Sequence, residues 1–216
     1  MNNSSCSLYL ISPATIAPDF PTQLESVLKT GTIACFQLRL KDIPLADISK
    51  MAKTIVPICH AYGVQCLIND HAQIARDSGA DGVHIGQNDG SAAEARKIVG
   101  KQAIVGVSCY DVPDRAIEAG EQGADYVAFG AFYPTATKLS PGAPKPEILE
   151  WWSTYTTLPC VAIGGITAEN CAPLIEAGAD FIAVVSAIWN HPKGPENGAK
   201  TLADAIKTAV AKRNTA

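Results

Sequence analysis

No uninterrupted apolar run in the 216-residue sequence approaches the ~18 residues a membrane-spanning helix needs. The opening MNNSSCSLYLISPA also lacks a basic stretch followed by a long apolar one. The expectation from both absences is a cytoplasmic protein with no membrane partner. Cysteine is present without a pattern: the seven residues at 6, 35, 59, 66, 109, 160 and 171 form an odd set with no CxxC and no Cys/His zinc spacing. They read as buried reduced thiols. An excess of positive charge is lacking, with 17 Lys and Arg against 21 Asp and Glu, and a formal net charge of -4 gives no general attraction to nucleic acid, so an anionic ligand needs a local basic site. A GxGxxG loop after the first apolar run is missing, and no Ser/His/Asp or Cys/His arrangement suggests a protein nucleophile.

What is present is a compact globular composition, 47% hydrophobic and 18% charged. Short apolar runs recur along the chain: LYLI, ACFQL, VQCLI, GVHIG, AIVGVS, YVAFG, CVAIG and FIAVV. They are nearly continuous rather than alternating, as parallel strands covered by helices require, and the segments between them carry helical spacing of Ala, Ile, Leu and Val. Gly-Ala-Asp recurs at 79, 123 and 178, each time after a helix-like stretch and before the fourth, sixth or eighth run. Gly there stops a helix and turns the chain into the sheet. Eight such units without a linker predict an α/β protein, a single (β/α)8 TIM barrel over residues 1–216. An open doubly wound sheet is the alternative.

In a barrel the active site gathers at the carboxyl ends of the strands. Those ends are polar or glycine throughout: Gln37, Arg39 and Lys41; Asn69 and Asp70; Gln87, Asn88 and Asp89; Ser108; Thr135, Thr137 and Lys138; Gly164 and Gly165; Val185 and Ser186. Alternate spacing puts Gln37, Arg39 and Lys41 on one face of a strand, with Leu38 and Leu40 on the other. Taken singly, each end has a plainer reading. Asp70 reads as a helix cap, Asp89-Gly90 as a turn before a Ser91 cap, and Gly164-Gly165 as a turn before a Thr167 cap. Taken together, Asp70 and Asp89 on adjacent ends can share Mg2+, which takes one or two carboxylates plus water and phosphate oxygens. Backbone N–H groups at the seventh and eighth ends suit a phosphate.

The ordered set QxRxK, ND, GQ-x-D, S, PTxTK, GGI and VSAI resembles the thiamine-phosphate synthase family from Leu8 to the last helix. That resemblance implies a Mg2+-dependent transferase that joins a hydroxymethylpyrimidine diphosphate to a thiazole phosphate and releases diphosphate. By motif matching it implies that Gln37, Arg39, Lys41, Asn69, Ser108 and Lys138 contact the pyrimidine diphosphate. Asp70 and Asp89 would hold Mg2+, and Thr135, Thr137, Gly165, Val185 and Ser186 the thiazole phosphate. Arg39, Lys41, Ser108 and Lys138 are the expected catalytic set, acting by positioning and charge in a dissociative substitution. Departures from the family pattern are Ile11-Ser12-Pro13 after the first run, GAFYPTATK in place of GPIFPTxTK, and the Pro- and Gly-rich LSPGAPKPEIL. His84 reads as a satisfied core residue, and His71, which could touch the diphosphate, reads first as a surface residue or one behind the ligands. Trp151, Trp152 and Trp189 read as packing of the outer helices or as a homo-oligomer contact. A thiazole tautomerase, a Schiff-base aldolase and a non-catalytic thiazole-phosphate-binding barrel stay open as alternatives.

Overall fold

The computed structural model describes residues 5–86, 89–135 and 143–215. Eight parallel strands close in sequence order into one barrel, β1 pairing with both β2 and β8. The strands are β1 (Ser7–Ile11), β2 (Ile33–Leu38), β3 (Gln65–Asn69), β4 (Gly82–Ile85), β5 (Ile104–Tyr110), β6 (Tyr126–Gly130), β7 (Cys160–Ile163) and β8 (Phe181–Val184). Helices α1 (Phe20–Leu28), α2 (Leu45–Ala61), α3 (Ala72–Ser78), α4 (Ala92–Val99), α5 (Pro113–Glu121), α6 (Glu147–Tyr155) and α7 (Ala172–Glu176) separate them. After β8 come a one-turn helix, α8 (Ser186–Trp189), and the long α9 (Pro195–Arg213). Each of the eight apolar runs is a strand, and the closed barrel excludes the open sheet.

Alternation along each strand divides the apolar side chains between two cores. On β1, Leu8 and Leu10 face the helices, where they join Phe36, Ile68, Val83, Phe129 and Ile182, while Tyr9 and Ile11 face inward with Cys35, Leu67, Tyr126, Ala128, Val161 and Ala183. Six cysteines are buried and all seven are free thiols. Trp152 is buried and donates its indole N–H to the Leu158 carbonyl, and Trp189 packs on Phe20 and donates to the Ile11 carbonyl. Trp151 is exposed. Among the described residues no helix is long and apolar enough to cross a membrane.

The repeated Gly-Ala-Asp has a second job beyond its glycine. Gly79, Gly123 and Gly178 all take positive φ and let each helix turn back. The aspartate then grips the start of the preceding strand twice. The carboxylates of Asp81, Asp125 and Asp180 accept the backbone N–H of Cys66, Val105 and Cys160, each at 2.7 Å, and their own N–H groups donate to the carbonyls of the same three residues. The motif is thus a clamp at the amino ends of β3, β5 and β7, opposite the rim where the strands end.

Candidate active site

A cavity opens at the carboxyl end of the barrel. It is lined by Gln37, Arg39, Lys41, Asn69, Asp70, Asp89, Ser108, Thr135, Gly165, Val185 and Ser186, all the expected site residues that fall within the described chain. Thr137 and Lys138, with Gln87 and Asn88, lie outside the described residues.

On one side of the cavity stand the cations and carboxylates. Only Gln37 of the QxRxK set lies within β2, because the strand ends at Leu38. Arg39 and Lys41 keep the alternation beyond it. The Arg39 N–H donates to the buried Ser12 hydroxyl at 2.8 Å and the Lys41 N–H to the Ala14 carbonyl at 3.1 Å, while Leu38 and Leu40 stay buried on the opposite face. Ser12, at the departure from the family pattern, therefore holds the segment that presents both cations.

Asp70 follows β3 in a left-handed conformation, φ 65, which Asp tolerates better than most residues. It does not cap α3, whose N-cap is His71. Instead its Oδ2 accepts from the Lys41 ammonium at 2.5 Å. Burial raises the Asp70 pKa, but the bond to Lys41 and that lysine's charge outweigh it, with help from Asp89 and His71, so the carboxyl is held below its usual range and is ionised at neutral pH. The reading of Ser91 as a helix cap holds. Its hydroxyl accepts from the Glu94 N–H, and the Glu94 side chain returns the bond to the Ser91 N–H, which leaves Asp89 unneeded as a cap.

Whether these two carboxylates suit Mg2+ can be asked of Gly86 between them. A Cβ built there would lie 2.4 Å from Asp89 Oδ2 and 3.5 Å from Asp70 Oδ1. The missing side chain leaves a small cradle onto which both carboxylates converge. Two hard oxygen donors beside an open cavity fit a cation that binds through one or two carboxylates and keeps water. Among the described residues no three His, Cys, Asp or Glu side chains cluster as a fuller metal cage.

Across the cavity, Gly164 and Gly165 follow β7 with φ of 101 and 64. A Cβ at Gly165 would strike the Tyr133 side chain and the Pro134 carbonyl, so the loop after β6 packs directly on this turn. Asn170 clasps it by donating to the Gly165 carbonyl at 3.0 Å and accepting the Thr167 N–H at 2.7 Å. Thr167 does not cap α7, which starts at Ala172 after Cys171. Val185 and Ser186 lead into α8, the short extra helix that phosphate-binding barrels place after the eighth strand.

The sequence reading missed Tyr9, His84 and Tyr126, which also line the cavity. His84 is buried and satisfied as expected, but its partners are the Tyr126 hydroxyl at 2.8 Å and Ser108 Oγ at 2.9 Å, so it belongs to the site. An inward-facing polar residue on a barrel strand was the available signal. Missed too is the bulge where Ser108 pairs with Ala128 but Tyr110 with Phe129, an extra residue that re-aims the end of β5.

Comparison with known proteins places this geometry. The family model described as thiamine monophosphate synthase matches residues 8–188. The chain is similar to a thiamine-phosphate synthase of Rhodospirillum centenum, 50% identical over 193 residues covering 89% of this chain and 93% of the relative. A second, from Erythrobacter litoralis, is 50% identical over 187 residues, 85% and 88% of the two chains. Among solved structures, a thiamine phosphate pyrophosphorylase from Pyrococcus furiosus aligns with a TM-score of 0.82 at 27% identity, covering 96% of this chain and 98% of that one.

Proposed function

The chain belongs to the thiamine monophosphate synthase family and is a transferase that makes thiamine phosphate, and from that premise we propose how its residues divide the work. The reaction joins hydroxymethylpyrimidine diphosphate to thiazole phosphate and releases diphosphate. Arg39, Lys41 and Lys138 would meet the diphosphate, Gln37, Asn69 and Ser108 the pyrimidine, and Thr135, Thr137, Gly165, Val185 and Ser186 the thiazole phosphate. Mg2+ held by Asp70 and Asp89 would neutralise charge that develops on the leaving diphosphate. Fixed cations at Arg39 and Lys41 stabilise the same charge without reorganising at the moment of bond breaking. The electron-rich aminopyrimidine supports the resulting benzylic-type cation, the thiazole nitrogen attacks it, and no protein nucleophile is called for.

The observation that carries this reading is the meeting of Lys41, Asp70 and Asp89 at one edge of the cavity, opposite Gly165 and Ser186. A tautomerase or a non-catalytic thiazole binder has no use for that charged edge and is not favoured. We also read residues 1–216 as one domain working in the cytoplasm, with exposed Trp151 and Tyr155 of α6 as the face of a homo-oligomer. The test is thiamine phosphate formation from the two purified substrates, with Mg2+ and then with excess chelator. Product that needs the metal is expected. Product formed equally under chelation contradicts the metal assignment, and thiazole phosphate binding without product in either condition contradicts the transferase reading.

A further inference from the structure

Beneath the cavity four hydrogen bonds run in series across five strands. Gln37 Nε2 donates to the Tyr9 hydroxyl at 2.7 Å, the Tyr9 and Tyr126 hydroxyls lie 2.9 Å apart, Tyr126 OH lies 2.8 Å from His84 Nδ1, and His84 Nε2 lies 2.9 Å from Ser108 Oγ. Both phenols are buried, and burial raises their pKa well above the usual tyrosine range, so each keeps its single proton.

The proton count gives the series one direction. An amide nitrogen only donates, so the Tyr9 oxygen accepts from Gln37 and passes its own proton to Tyr126. Tyr126 in turn donates to His84 Nδ1. A neutral imidazole with an acceptor at Nδ1 carries its proton on Nε2 and donates it to Ser108. The Ser108 proton is then left to point at a ligand. The barrel is built to hold this chain. The Tyr126 ring lies across Gly106, where a Cβ would fall 2.0 Å from Cζ, and stacks on His84 with ring centroids 5.6 Å apart.

We propose that Tyr9 and Tyr126 are positioning residues that impose one donor direction on the pocket floor, holding His84 as its Nε2–H tautomer and Ser108 as a donor to the pyrimidine. This deepens the reading given above and rests on its assignment of Ser108 to the pyrimidine. A ring nitrogen beside an amino group is a bare acceptor and matches a donating Ser108. In the oxo analogue that nitrogen carries a proton, so Ser108 loses its acceptor there and must turn to receive that proton on its one remaining lone pair. The chain thereby selects aminopyrimidines over oxopyrimidines.

The test begins with ligand-free protein labelled with 15N at histidine, using His84→Gln to identify the His84 signals among the four histidines. Wild type is expected to show His84 protonated at Nε2 and bare at Nδ1. Tyr126→Phe keeps the ring but removes the donor, so the Nδ1 signal should move toward the protonated range. Tyr9→Phe, which cuts the link to Gln37, is the second variant and should move it the same way. With substrates, either variant should raise KM for the pyrimidine diphosphate by up to about tenfold, the worth of one hydrogen bond, with KM for thiazole phosphate unmoved. Discrimination against the oxo analogue should fall in parallel. A wild-type Nδ1–H tautomer, or a His84 spectrum unchanged in both variants, overturns the chain's direction. Spectra as expected with an unmoved pyrimidine KM overturn the role in pyrimidine positioning instead, and that failure is separate because the spectra need no reaction.

Discussion

Gly86→Ala is the smallest change that should empty the proposed metal cradle while sparing the fold. Gly86 has no left-handed φ, so alanine suits its backbone, but the new methyl would sit 2.4 Å from Asp89 Oδ2 where ordinary contact begins at 3.4 Å. The carboxylate must retreat by about 1 Å. It is the far end of a side chain and can do so without moving the strand. Mg2+ tolerates no such shift, since its oxygen ligands sit at about 2.0–2.1 Å in a near-ideal octahedron. Even changes to residues that only support a metal ligand weaken metal binding by about 10–100-fold, so displacing a ligand should raise the Mg2+ concentration for half-maximal activity by at least that range. Stability should move the other way. Replacing glycine at a compatible position stabilises by about 0.4–1 kcal/mol through the unfolded chain, or about 1–4 °C in a protein of this size. Calorimetry and a Mg2+ titration of activity read the two effects separately. An unchanged Mg2+ requirement would refute the convergence of Asp70 and Asp89 on one cation, and a large fall in Tm would refute the claim that only a side chain is displaced.

Asp70→Asn should abolish most turnover with circular dichroism unchanged; full activity would sink its metal role. Because the folded Asp70 pKa lies below its ordinary 3.8, the stability contributed by its pairing with Lys41 is complete above that value and lost as pH falls through the lower folded value. Lys41→Ala should therefore lower stability at neutral pH, with the difference from wild type closing as pH falls through the Asp70 range, and unfolding curves followed by fluorescence at neutral and acid pH will show whether that gap closes. Asp125→Ala removes a carboxylate that accepts the Val105 N–H and pairs with Arg96, a charged hydrogen bond worth about 1.5–3 kcal/mol, so Tm should drop by roughly 3–12 °C. A Tm within 1 °C of wild type would, at roughly 2–4 °C per kcal/mol, contradict the clamp. Ser186→Ala should raise KM for thiazole phosphate several-fold without changing KM for the pyrimidine diphosphate, and the reverse pattern would exchange the two halves of the cavity.

The strands were legible because a barrel strand buried on both faces reads as an unbroken apolar run, and LYLI or FIAVV admits few other readings. The site was legible because architecture converts strand ends into neighbours. Once eight runs are counted, Gln37 and Ser186 are expected to meet although the chain separates them widely. Two kinds of information were hidden. Tyr9 and Tyr126 read as core aromatics, since nothing local says that residues 117 apart bring their hydroxyls within 2.9 Å. Only the barrel's register does that. The bulge in β5 depends in the same way on pairing with β6, and without it the direction of Ser108 cannot be derived.

The aspartates show how one residue type serves opposite ends of the same barrel. Asp81, Asp125 and Asp180 stand before their strands, where each carboxylate is spent on a backbone N–H that the preceding strand leaves exposed at its start. Asp70 and Asp89 stand after theirs, at the rim that opens on the cavity. Asp70 turns to Lys41, and both it and Asp89 remain turned toward the cradle at Gly86. Position relative to the apolar run thus separates a carboxylate that clamps backbone from one that lines the cavity. The polarity of a parallel strand is the cause, because all eight present their starts to one rim and their ends to the other. Exchanging an aspartate between the rims would leave either an unpaired N–H at the bottom or an uncompensated charge at the top, which is why the two sets carry the same side chain but not the same work.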